Sequence, residues 1–415
     1  MRENSGRCTI TAVGLAVAIT FALAIIACPA AQAQTFNVIS NFPGHNSSEH
    51  AIAGVTIDRR GNLFGTTAWG GAFGVGTAYE LQRTNGGFVF NQIHSFGDGD
   101  GGFPWDAPTF GPNGTLYGTT GDGGTNDSGA VFNLQPPPNV CRSVSCPWDG
   151  TGLYHFTRGS DGGNPQAGII FDASGNMYGT NVNGGSGYGV VYEMTPSNGG
   201  WDYQVLYTFT GGQDGANPAS LLRFDSAGNL YGTAATGGLP GCGGFGCGTV
   251  YKLSHSESGW TETTLYSFTG GTDGEQPSAG LIADSAGNLY GATPGSNGNG
   301  GTVFELSPSG GNYTFNLIYD LPGQGVGPSN NLLRDSAGNL YGVTWGDGLY
   351  GQGNVFKLTP TGNGWTYTSL HDFTGGADGS NALGGLNMDS SGVLYGTTYD
   401  GGSVCDCGVV FEITP

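Results

Sequence analysis

The octapeptide DSAGNLYG occurs three times, at 225–232, 284–291 and 335–342. Looser copies stand at 58–65 (DRRGNLFG), 111–118 (GPNGTLYG), 172–179 (DASGNMYG) and 389–396 (DSSGVLYG), which makes seven. No other feature restricts the fold as strongly. A unit that recurs every fifty to sixty residues or so cannot bury its apolar face alone and must stack on its neighbours.

The segment 278–321 shows how one unit is built. SAGLIAD is an apolar run, SAG turns it back, and NLYGAT follows as a second strand. A Gly-rich loop leads to GTVFEL, and the polar turn SPSGGN leads to YTFNLIYDL. Four short hairpin-connected strands, A to D, are the pattern of one propeller blade. The C strand recurs as GTAYEL (76–81), GAVFNL (129–134), GVVYEM (189–194), GTVYKL (248–253), GNVFKL (353–358) and GVVFEI (408–413). These β-branched and aromatic runs suit blades covered on both faces. The expectation is an all-β, seven-bladed β-propeller in a single domain over 34–415, with repeat turns near 58–67, 111–120, 172–181, 225–234, 284–293, 335–344 and 389–398.

The octapeptide itself reads as a hairpin device. Its Asp bonds backbone amides two residues on, and its first Gly takes positive φ. The Gly after the aromatic (Gly65, Gly118, Gly179, Gly232, Gly291, Gly342, Gly396) lies inside a strand and predicts a close backbone approach near the propeller axis. The last unit stops after its C strand. The stretch TFNVISNF at 35–42 matches the D strand TFNLIYDL at 314–321. It is therefore expected to complete the last blade and close the ring, leaving no open edge.

Residues 1–33 read as a signal peptide: Arg2 and Arg7, an apolar run from Ile10 to Ala27, and Ala31-Gln32-Ala33 as the cleavage signal. Ile25-Ile26-Ala27-Cys28 also resembles a lipobox, so lipidation at Cys28 is the alternative to free secretion. No second apolar run is long enough to span a membrane. Six cysteines remain in the mature chain as close pairs: Cys141 with Cys146, Cys242 with Cys247, and Cys405 with Cys407. In an exported chain they read as three disulfides, each stapling one loop. Lys+Arg number 11 against 31 Asp+Glu, a formal charge of −20, which repels nucleic acid and anionic lipid. A closed ring is expected to be a monomer.

Three motifs carry a family resemblance: D-S-A-G-N-L-Y-G-T, the G-G-x-x-G-x-G-T-V-F loop and strand, and L-Y-S-F-T-G-G-x-D-G at 265–274. Over essentially the whole mature chain the sequence resembles the GloVer tandem-repeat family, the choice-of-anchor proteins of bacterial exported proteomes. The resemblance implies an exported or surface-displayed repeat protein. It supplies no activity and no catalytic residues.

Candidate chemistry gathers on one face of the ring, where the D–A and B–C loops lie. Five D–A loops offer a carboxylate: Asp98 or Asp100, Asp161, Asp214, Asp273 and Asp378. Each Asp can cap its own turn. Asp98 and Asp100, in DGDGG, are also the candidate calcium ligands. Trp69, Trp105 and Trp345 lie in or near the same loops, and with the Asp residues they suggest a glycan-binding face. Trp201, Trp260 and Trp365 open D strands and read as packing residues, and Trp148 lies in a cysteine insertion. His94, His155 and His371 read as packing variants at the D-strand position held by Tyr207, Tyr266 and Tyr319. No nucleophile elbow, phosphate loop or metal-ligand spacing is present. The favoured function is an exported, non-catalytic binding or surface-interaction module that requires no cofactor. A polysaccharide hydrolase or lyase and a purely structural extracellular protein are the alternatives.

Overall fold

The computed structural model describes residues 34–44, 47–97, 99–138, 147–295, 300–321, 323, 327–328 and 330–414. The expected signal peptide with Cys28 and the candidate calcium ligand Asp98 fall outside the described residues. So do Cys141 and Cys146, the first of the three expected disulfide pairs. From Gln34 onward the chain is one compact unit. It is a seven-bladed β-propeller of four-stranded antiparallel blades. Blade three shows the pattern: A at Ile170–Phe171, B at Met177–Asn181, C at Val190–Ser197 and D at Gly200–Thr208. Among the described residues no helix is long and apolar enough to cross a membrane.

The ring closes as expected. Thr35–Asn41 pairs antiparallel with Val409–Thr414, the C strand of blade seven. The equivalence extends to a local irregularity. Every C–D pair carries a register shift at one position, for example between Val191 and Tyr192 and between Val303 and Phe304. The N-terminal strand shifts register between Val38 and Ser40, opposite Phe411 and Val410, at the corresponding place. A β-bulge increases local twist. Its repetition means that the borrowed strand has the same shape as the six continuous ones.

The octapeptide builds the A–B turn. In blade four Asp225 Oδ1 accepts from the amides of Ala227 (2.8 Å) and Asn229 (2.9 Å), and Oδ2 accepts from the Asn229 side chain (2.7 Å) and the Tyr231 hydroxyl (3.1 Å). Gly228 closes the turn with φ 82°. Burial pushes the Asp225 carboxyl up, but these bonds outweigh it and hold the group below the usual carboxylate range. Blade two has Gly111 in place of Asp, and Asn113 bonds the Thr115 amide at 3.1 Å instead.

The Gly after the aromatic has a different role from the expected one. It faces a side chain across the sheet, not a neighbouring backbone at the axis. Gly65, Gly118, Gly179, Gly232, Gly291, Gly342 and Gly396 stand directly opposite Tyr79, Phe132, Tyr192, Tyr251, Phe304, Phe356 and Phe411 of strand C. In each pair a Cβ on the Gly would stand 2.5–2.6 Å from the ring Cζ. The far end of each ring occupies the space a side chain on the Gly would take, the aromatic rescue known for sheet glycines.

Seven apolar clusters form the core, one at each junction between neighbouring blades. Hydrogen bonds reinforce the junctions. The B-strand threonines Thr66, Thr119, Thr233 and Thr397 donate to carbonyls of Asp106, Ala167, Ala279 and Ala53 in the next blade at 2.7–3.1 Å. Each such buried bond contributes about 1 kcal/mol. The last of them joins blade seven to blade one. At the outer edge the B-strand aromatic of one blade meets an aromatic at the start of the next blade's D strand. Tyr117–Trp201 (6.1 Å) and Tyr290–Trp365 (6.4 Å) are such pairs, which places Trp201 and Trp365 as packing residues. Trp148 does the same work against Phe64 at 5.7 Å, although it sits in the cysteine insertion.

One register expectation is corrected. Tyr154, not His155, holds the D-strand position of Tyr207. Val131 faces Tyr154 as Val191 faces Tyr207, so His155 aligns with Thr208. His94 and His371 do occupy that position, facing Ala78 and Val355.

Candidate functional site

The D–A loops carry their carboxylates turned into the loop. Asp214 Oδ2 accepts from the Tyr207 hydroxyl (3.0 Å) and the Thr210 amide (2.8 Å), and Oδ1 accepts from the Thr210 hydroxyl (2.6 Å). Asp161 makes the same set with Tyr154 and Thr157. Asp378 makes it with Thr374 and with His371 in place of Tyr. Asp273 accepts from Tyr266, from the amide and hydroxyl of Thr269, and from the Gly271 amide at 3.2 Å. A carboxylate has roughly four acceptor sites, so Asp273 has none to spare and Asp214 about one. Burial pushes Asp378 up, but the bonds from Thr374 and His371 win and hold it below its ordinary range. Burial and the neighbouring Asp161 push the Tyr154 phenol up to about 12, so it stays a donor. Asp100 is buried, bonded to His94 and to the Gly97 amide. The motif thus ties the end of a D strand to the turn that follows it.

In blades three, four and seven the D–A loop is stitched to the B–C loop of the blade it enters. Isolated bridges join Gly163 to Asn183, Ala216 to Thr236 and Ser380 to Asp400. Of the three expected disulfides, the two within the described residues form: Cys242–Cys247 and Cys405–Cys407, both in B–C loops. The expected pairing of Cys141 with Cys146 lies outside the described residues. Both bridges rest on the D–A loop of the next blade: a Cβ on Gly270 would meet Cys242 Sγ at 2.5 Å, and one on Gly44 would meet Cys405 Sγ at 2.7 Å. They therefore brace neighbouring blades as well as their own loops.

The B–C loop tips project outward. Ten large apolar side chains are exposed among the described residues, and eight of them lie in B–C loops: Trp69, Phe73, Tyr188, Leu239, Phe245, Leu349, Tyr350 and Val404. Phe73, Phe245 and Leu349 are 70%, 75% and 76% exposed. Five blades contribute, and all B–C loops share one face of a propeller. Of the expected tryptophans, Trp69 is exposed and meets Phe103 edge-on at 4.7 Å. Trp105 and Trp345 are half-buried, and Trp345 lies against Tyr399. Sequence reasoning passed over Phe73, Tyr188, Phe245 and Tyr350. Their signal was present, since each is followed by Gly inside a Gly-rich B–C loop (AFG, GYG, GFG, LYG).

A family profile described as the Gloeobacter/Verrucomicrobia repeat matches residues 144–322 and 295–415, more than half of the chain. No curated protein matches. Among solved structures, the chain is similar to a Thermus thermophilus protein described as an oxidoreductase (glucose dehydrogenase), at 13% identity and TM-score 0.45 over 92% of this chain and 100% of that one. It is also similar to a Bacteroides uniformis protein described as a 6-phosphogluconolactonase, at 12% identity and TM-score 0.47 over 79% and 86%. A Dyadobacter fermentans protein of unknown function gives 11% identity and TM-score 0.45 over 91% and 97%. Likenesses at that level bear on neither activity nor ligand.

Proposed function

The chain belongs to the Gloeobacter/Verrucomicrobia repeat family, and we propose that it is an exported, non-catalytic binding module that engages its ligand with the B–C loop face. The observation that carries this reading is the gathering of eight of the ten exposed large apolar side chains on that one face. Exposed apolar groups so concentrated mark an interaction surface. The D–A carboxylates serve as struts beneath it, holding the loops that present the tips. Five of the eight tips are aromatic, and flat rings offer platforms for sugar rings. A chain of net charge −20 disfavours polyanions, so the ligand class is a neutral glycan.

Affinity electrophoresis through gels holding a neutral β-glucan, xylan or mannan tests this. Retardation of the wild-type chain, lost in Phe73→Ala/Phe245→Ala/Tyr350→Ala at unchanged melting temperature, is the expected result. Unchanged mobility in every gel removes the glycan reading. Leu239, Leu349 and Val404 favour a second reading, an apolar protein surface as ligand, because aliphatic tips offer no flat face to a sugar.

A further inference from the structure

The opposite face, which carries the A–B and C–D turns, holds a cleft of about 620 Å³ between blades three and four. Its walls include Tyr178, Glu193, Asp172, Asp225, His255 and Trp260. The repeats themselves indicate what belongs there. In five blades the B-strand Tyr donates its hydroxyl to the turn Asp: Tyr178 to Asp172, Tyr231 to Asp225, Tyr290 to Asp284, Tyr341 to Asp335 and Tyr395 to Asp389. Four of these five places have a cation of the chain's own. Lys252 lies 5.6 Å over the Tyr231 ring, Arg334 5.8 Å over Tyr290 and Lys357 5.5 Å over Tyr341. Arg83 approaches Asp389 beside Tyr395, at 3.8 Å.

The fifth place is the cleft. Lys252 and Lys357 stand opposite their Tyr on strand C, and the residue opposite Tyr178 is Glu193. The strand position of Arg334, next to the turn Asp, holds Phe224 in blade four, and the register position of Arg83 holds His255. Tyr178 donates to Glu193 Oε1 at 2.6 Å as well as to Asp172. Trp260 meets His255 at 5.0 Å. The cleft therefore keeps the aromatic ring, which Phe224 meets edge-on at 5.0 Å, and the turn carboxylate. It has a facing Glu, as the Tyr290 and Tyr395 places do, and a Trp, as the Tyr290 place does. What it lacks is the Lys or Arg that each of the four sister places supplies.

We infer that this cleft binds an organic cation, an ammonium group on an aliphatic stem, with the ammonium over Tyr178 between Glu193 and Asp172 and the stem along Trp260. Cation–π attraction and ion pairing are the forces the sister junctions already use. The variant Glu193→Lys gives blade three the residue that blades four and six carry, so it fills the site while keeping a side chain that the fold accepts. Spermidine and a short lysyl peptide are titrated separately by calorimetry into wild type and variant, with the N-acetylated lysyl peptide as neutral control. Expected is one site per chain for at least one probe, weakened about tenfold or more in Glu193→Lys, with no binding of the acetylated peptide. Spermidine alone identifies a free polyamine as the source, and the peptide identifies a basic protein segment. Absence of binding by both probes at millimolar concentration overturns the inference. So does binding undiminished in the variant, because nonspecific attraction to an acidic chain survives one substitution.

Discussion

Gly118→Ala isolates the contact that all seven blades share. The Gly has ordinary negative-φ strand geometry, so an added methyl meets no backbone penalty. It would instead stand 2.6 Å from Cζ and 2.9 Å from Cε1 of Phe132. Carbon atoms rest at about 3.5 Å or more, so the ring must retreat by roughly 1 Å. Phe132 is fully buried and packs edge-on against Phe96 at 4.8 Å, so it has nowhere free to go. Overpacking of this kind costs about 1–3 kcal/mol. Loss of glycine's freedom in the unfolded chain returns about 0.4–1 kcal/mol. The net expectation is a destabilisation of about 1–2 kcal/mol, seen as a lower urea midpoint at unchanged slope. The melting temperature would fall by only about 1–3 °C, because the unfolding entropy of roughly 380 residues is large. In a Phe132→Leu background the same substitution should cost about 1 kcal/mol less, since the ring it strikes is gone. A neutral or stabilising Gly118→Ala, or equal cost in both backgrounds, would refute the ring-over-glycine account.

Three further outcomes are expected. Tyr79, Tyr192 and Tyr251 bury hydroxyls with no partner where the other four blades carry Phe, so each Tyr→Phe should stabilise the chain by about 0.5–1 kcal/mol, seen as a higher urea midpoint. Glu262 stands where Tyr203 and Phe315 stack on the preceding blade, and burial pushes its carboxyl up to about 7. A raised carboxyl penalises the charged form, so stability should fall as pH rises from about 4.5 to about 7, and Glu262→Gln should remove on the order of 1 kcal/mol of that loss, the group being half-exposed and screened. Removing residues 34–41 should leave the edge of Val409–Thr414 bare and cause concentration-dependent association by light scattering, reversed by an added TFNVISN peptide. A monodisperse truncated chain would contradict the closure.

The propeller and its closure were legible because both follow from repetition, and repetition is written directly in residue identity. Cross-strand relations were not. That Gly118 lies under Phe132 depends on which residues face each other across strands B and C, and a one-residue offset puts the Gly on the other face of the sheet. The same limit explains His155. The D strand of blade two follows the cysteine insertion and contains Gly150 and Gly152, so spacing from the octapeptide no longer fixes its register. The D–A aspartates were recognisable as turn residues, but their Tyr and Thr donors sit seven and four positions away, at a distance set by the curl of the loop. The exposed loop tips were obscured by glycine, which makes every B–C loop look alike until the side chains are seen to project. The cation pattern became readable only once Glu193 and Lys252 were known to share a register position.

The closing strand has a mechanical consequence. Thr35 pairs with Thr414 at one end of the closing strand pair, and Asn41 pairs with Val409 at the other. A force that drew Gln34 and Thr414 apart would peel the pairs off singly, as a zipper opens, and the ring would yield under little load. A force between Gln34 and a ligand held on the B–C loop face would run along the strand and stress all of its pairs together in shear. The same clasp is thus weak against a pull that parts its own two ends and strong along the line from Gln34 to the B–C loop face.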